Sequence, residues 1–254
     1  MAVAFVQGKW ARDDDGGSSS VTFDSTPTNG NLMLWAVSAQ QTGTLGTPSG
    51  WTAQFALRIG ADFSLALFTK TAGASESATL TITTTAFAFL GAMEVSGQGT
   101  LTLGTGNTES GEFDSSTNVP GQNVDAADAM HILVAFASGG FTSGTPAAPT
   151  NYTRAFTSGS DAYAGRSLMA YRANPPTGAT GDKAFTHNTA GDDEYGRGVV
   201  IEAAGGGGGG DQPASKRHGG VPAMALPGRR NVWAPVFKSN MLIGPSSPIM
   251  RKAA

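Results

Sequence analysis

The chain has 254 residues, 36 of them glycine and 13 proline, with no cysteine and only 14% charged residues. That length can bury one large all-β core or two smaller ones, and the absence of cysteine excludes a disulfide framework and a thiolate metal site. The net charge of −3 conceals an asymmetry: seven basic residues against Asp211 alone give +6 over residues 211–254 and leave −9 on residues 1–210, an acidic body with a basic tail.

Thr, Ser, Gly and Ala fill most of the remainder, a composition of short strands and tight turns, not of helices. The start, MAVAFV, has no basic region before it and is not read as a secretory signal. No run of about 18 apolar residues predicts a membrane span, so the chain is expected to be made in the cytoplasm and to need no membrane.

Residues 2–6 alternate weakly and predict a first strand, and 13–20 (DDDGGSSS) predict an exposed loop. Residues 21–23 form a short strand, and Asn29-Gly30 is a turn signal. The run 31–39 (NLMLWAVSA) is a nearly unbroken apolar stretch and reads as a strand buried on both faces or at the centre of a sheet. Met33, Trp35 and Val37 share one of its faces. Strands follow at 51–57, 63–69, 78–84 and 86–95, and Gly97 closes the unit.

A bridge over 98–123 leads to a second unit, whose organising strand is 130–138 (MHILVAFAS). Five blocks repeat in order. Residues 31–39 match 130–138, with Met33, Trp35 and Val37 opposite Ile132, Val134 and Phe136. Gly46-Thr47-Pro48 matches Gly144-Thr145-Pro146, residues 51–55 match 152–156, and 64–68 match 167–171. Met93-Glu94-Val95 matches Ile201-Glu202-Ala203. The repeat spans about 21–97 and 124–205. Two halves that cannot each cover an apolar face predict one jelly-roll-like β-sandwich over residues 1–204, with paired sheets back to back.

Gly205, Gly206, Gly207, Gly208, Gly209 and Gly210 form a predicted hinge. Residues 211–254 then mix prolines, basic groups and apolar anchors without a lasting period, which predicts an extended arm that orders on something else. Its charges are sparse and mixed with apolar anchors and prolines, which favours a protein surface over nucleic acid. Arg229, Arg230, Trp233, Phe237, Leu242 and Ile243 are the candidate partner-binding residues, docking on a protein surface.

No catalytic signature appears. His131, His187 and His218 lack metal-ligand spacing, and His131 reads as a paired sheet histidine. Asp13-Asp14-Asp15 and Asp192-Asp193-Glu194 read as solvated loop charge without calcium-loop spacing. The repeat itself accounts for Glu94 and Glu202, which a glycosidase would use as a pair. Neither a metal nor a cofactor is expected. Trp10, Trp51, Tyr152 and Trp233 leave sugar stacking open, although Trp51 and Tyr152 are repeat equivalents and favour a structural role.

The run Pro48-Ser49-Gly50-Trp51-Thr52, the strand 65–72 (LALFTKTA), Met93-Glu94-Val95-Ser96-Gly97 and the close VVIEAA at 199–204 together resemble jelly-roll proteins of tailed bacteriophages over about residues 20–204. The resemblance implies a virion structural protein: a capsid cement or decoration protein, a head fibre or a tail-associated adhesin. Proteins of this kind are often homotrimers, and their partners would be capsid or tail subunits. A carbohydrate-binding receptor module at the tail is the alternative.

Overall fold

Fourteen strands and no helix make up residues 1–138, 147–156 and 166–204, which the computed structural model describes; side chains at 109–115, 166 and 187–192 are not described. The first seven strands are β1 (Ala4–Asp13), β2 (Gly17–Thr22), β3 (Leu32–Gln40), β4 (Thr52–Ile59), β5 (Phe63–Thr71), β6 (Thr79–Thr84) and β7 (Ala88–Ser96). The next seven are β8 (Gln98–Val119), β9 (Asn123–Val124), β10 (Met130–Ala137), β11 (Thr153–Arg154), β12 (Arg166–Ala173), β13 (Gly178–Ala179) and β14 (Lys183–Ala203).

The two sets are wired alike. One five-stranded antiparallel sheet runs β1-β7-β3-β5-β4, the other β11-β12-β10-β14-β8, and two-stranded pieces β2-β6 and β13-β9 complete the set. In the first half β1 pairs with β7, β2 with β6 and β3 with β5. This nested pairing is the jelly-roll wrapping of one long hairpin. Gly97, at φ 73°, takes the chain from the end of β7 into β8 of the other sheet.

The five-stranded sheets face each other. Leu34, Ala36, Leu65, Leu67, Met93 and Val95 of one meet Ile132, Val134, Phe136, Met169, Val199 and Ile201 of the other. Each sheet also has a buried outer face. Met33, Trp35 and Val37 lie under Val21 of β2 and Leu80 and Ile82 of β6. Leu133 and Ala135 lie under Val119 and Phe185, and Val200 packs on Val124 of β9. The described residues up to 204 therefore make a central sandwich with a smaller layer on each outer face. Burial on both sides is why β3 and β10 are apolar at nearly every step, with Ser38 and His131 as buried exceptions.

The register corrects the alignment read from sequence. Leu32 faces Val95 and Leu34 faces Met93, as Met130 faces Ile201 and Ile132 faces Val199. Leu34 is thus the partner of Ile132, and Met33, Trp35 and Val37 lie on the opposite face from Ile132, Val134 and Phe136. The match of 64–68 to 167–171 slips in the same way, since Thr69 opposite Thr52 corresponds to Tyr171 opposite Thr153. One residue of slip exchanges the two faces of a strand.

Three loops read from the sequence are strands. Residues 17–20 begin β2, the bridge 98–123 is mostly β8, and Asp192-Asp193-Glu194 lies within β14. β8 and β14 pair from Gln98–Ala203 to Val119–Lys183, with register shifts between Thr186 and Asp193. Where β14 runs unbroken, the first half breaks the same ribbon into β6 and β7. Threonine, serine and glycine suit the exposed side of such a ribbon, so composition alone resembled a linker.

Candidate functional site

Among the described residues, three polar clusters and two open clefts are places where chemistry could be sought. Glu94 sits in β7 at 0% exposure, opposite Met33. Its Oε1 accepts from Thr28 N (2.8 Å) and Asn31 Nδ2 (2.6 Å), and its Oε2 accepts from Gln7 Nε2 (2.5 Å). A buried carboxylate with that many donors is a structural clamp. It pins the turn before β3 to the sheet. Glu202 is half-buried and lies two residues beyond the equivalent place, which Val200 fills. The two carboxylates therefore do not occupy equivalent positions.

His131 is fully buried in β10, and its Nδ1 lies 2.6 Å from the Tyr152 hydroxyl, with the rings 5.7 Å apart and edge-on. Burial lowers the imidazole pKa to about 4, helped by the nearby charges of Lys183 and Arg172. Burial raises the Tyr152 hydroxyl. The ring is neutral near pH 7 and shares one hydrogen bond with the phenol through Nδ1. Nε2 and Gln122 Oε1 both lie over Gly198, where a Cβ would meet them at 3.1 and 2.7 Å. Burial of this kind keeps solvent and substrate from the imidazole. His187 lies in β14, its side chain outside those described, and His218 lies outside the described residues.

The acidic loop closes on itself. Asp13 accepts from Ser19 Oγ (2.6 Å) and Asp15 N (3.1 Å), and these hydrogen bonds hold its pKa below the usual carboxylate value. Arg12 pairs with Asp14. In β14, Asp193 and Glu194 are 7% and 2% exposed, so they are buried strand residues and not solvated loop charge. Among the described residues no three His, Asp or Glu side chains are gathered so as to hold a metal ion.

Three of the four candidate stacking aromatics pack on neighbouring rings, and Trp233 lies outside the described residues. Trp51 packs on Trp35 (5.4 Å) in the outer core, as Tyr152 packs on His131 in the other half. Trp10 is half-buried against Phe89 (6.3 Å). The open space lies elsewhere. One cleft of about 300 Å³ runs between Thr47, Pro48 and Ser49 and the strand residues Thr81, Ile82 and Thr83. A second, of about 490 Å³, runs between Pro149, Thr150 and Asn151 and the segment Asp182, Lys183 and Thr186. Sequence reading missed both, because their walls are ordinary turn and strand residues from segments distant in the chain.

The hinge residues Gly205, Gly206, Gly207, Gly208, Gly209 and Gly210 and the arm residues Arg229, Arg230, Trp233, Phe237, Leu242 and Ile243 lie outside the described residues. Comparison of the chain with protein-family models, with curated proteins and with solved structures finds no match. What the site can do rests on its own geometry.

Proposed function

We propose that the chain is a non-enzymatic structural protein of a bacteriophage virion: a capsid cement or decoration protein, or a head fibre. In this reading it assembles as a homotrimer, and the arm over 211–254 docks on neighbouring virion subunits through Arg229, Arg230, Trp233, Phe237, Leu242 and Ile243. The observation that carries the reading is how the body spends its buried polar groups. Glu94 clamps a turn and His131 is locked to Tyr152, each serving the fold and presenting no reactive group. A duplicated sandwich with three apolar layers suits a protein selected for rigidity. The basic arm and the acidic body have complementary charge, which favours docking between subunits.

A tail-associated carbohydrate-binding module is the second reading, and the two hydroxyl-lined clefts favour it.

The test is to band particles from host cells carrying the gene in its phage genome and to look for the chain by mass spectrometry. The proposal expects it to band with the particles. It expects a full-length R229E/R230E/W233A variant to fold and to stay at the top of the gradient. A wild-type chain that remains soluble there would overturn it.

A further inference from the structure

The two clefts are one feature built twice. Trp51 N donates to Pro48 O (3.1 Å) and Tyr152 N to Pro149 O (3.0 Å). The residue before each aromatic is left-handed, Gly50 at φ 79° and Asn151 at φ 69°. Pro48 thus corresponds to Pro149, and the Gly144-Thr145-Pro146 block that the sequence aligned with Gly46-Thr47-Pro48 lies outside the described residues. The strand facing each turn corresponds too: Ser19 pairs with Ile82 and Thr117 with Phe185, all four buried under the same layer of their half. Thr81 and Thr83 then match Ala184 and Thr186, which border the second cleft as Thr81 and Thr83 border the first.

Core packing accounts for the turns, because Trp51 and Tyr152 fill the outer cores. It does not account for an open cleft between turn and strand in both halves. Clefts of a few hundred Å³ with convergent polar groups are the size of small-ligand sites. The first sets the hydroxyls of Thr47, Ser49, Thr81 and Thr83 beside Pro48 and Ile82, with no charged group. The second adds the Asn151 amide, Asp182 and Lys183. Lys183 Nζ is turned to backbone carbonyls, 3.0 Å from Gly181 O and 3.2 Å from Asp182 O, and Asp182 Oδ1 accepts from Gly121 N (2.8 Å).

This lining selects a ligand class. A hydroxyl both donates and accepts, so threonine and serine walls match a ring that carries hydroxyls. An apolar ligand would leave those walls unpaired, and an anion would find no cation in the first cleft. We propose that the clefts are paired saccharide sites, one in each half, each taking a neutral sugar residue, with Asn151 and Asp182 making the second more selective. This rests on the carbohydrate-binding reading above and gives it a location.

The experiment is an NMR titration of the labelled full-length chain with maltotriose, lactose and triacetylchitotriose, repeated on Ser49→Trp and Thr150→Trp. Both positions are exposed, so an indole can fill each cleft without entering a core. With at least one sugar, shifts are expected at 46–49 and 81–83 and at 148–151 and 182–186. Ser49→Trp should weaken the first site at least about tenfold and spare the second, and Thr150→Trp the reverse, as expected for loss of one or two hydrogen bonds. Shifts elsewhere only, or shifts surviving both variants, overturn the clefts and leave carbohydrate binding standing. Silence with all three sugars at about 10 mM, above millimolar affinity, sinks both.

Discussion

The Tyr152 hydroxyl stands 2.6 Å from His131 Nδ1 inside the outer core of the second half, where the first half places Trp51 on Trp35. One half closes this layer with a polar pair, the other with two indoles. Tyr152→Phe keeps the ring and leaves the buried Nδ1 without its hydrogen-bond partner, so it should cost about 1–3 kcal/mol in denaturant unfolding. Trp51→Phe, which removes area but no hydrogen bond, should leave the second half's hydrogen exchange unchanged.

The same histidine makes stability depend on pH. Its folded pKa is about 4 against an ordinary 6.5, so between those values the unfolded chain binds more protons. The contribution is fully present above pH 6.5 and is lost as pH falls toward 4, for a total of about 3 kcal/mol. His131→Gln should flatten the stability profile between pH 6.5 and 4 relative to wild type. An unchanged slope would mean that His131 is not the titrating group.

Gly91 of β7 lies under the Phe156 ring, and a Cβ there would overlap it. In the pseudo-equivalent place, Arg197 lies over Phe55 at 5.4 Å. Gly91→Ala should therefore destabilise by about 1–3 kcal/mol through overpacking. Adding Phe156→Ala should make the pair cost less than the sum of the single changes. Strict additivity would show that the ring does not occupy this space.

Glu94 and Glu202 should separate cleanly. Glu94→Gln removes a charge that accepts from three donors and should cost about 1–3 kcal/mol. Glu202→Gln, at a half-buried site, should stay within about 0.5 kcal/mol. Equal losses in chemical denaturation would restore the equivalence that the sequence suggested.

For the proposed trimer, light scattering of the full chain should return about three times 25.7 kDa. A mass of a single chain at micromolar concentration would remove trimerisation from the proposal.

Much of the fold could be read from residue order, and the limits of that reading have physical causes. Apolar runs of strand length at 31–39 and 130–138, turn residues between them and five blocks in the same order were enough for an all-β sandwich with two similar halves, because alternation and turn chemistry act locally. Which face of β3 meets which core was not readable. A strand buried on both sides lacks the polar alternation that would fix its phase, and pairing with β5 and β7 sets it. Glu94 was visible as a carboxylate among apolar neighbours, but its donors come from Gln7, Thr28 and Asn31, brought to it by the sheet. The clefts were silent for a related reason. Pro48 and Thr81 are ordinary residues until the wrapping of the hairpin sets them across a gap, and a gap is a property of tertiary structure alone.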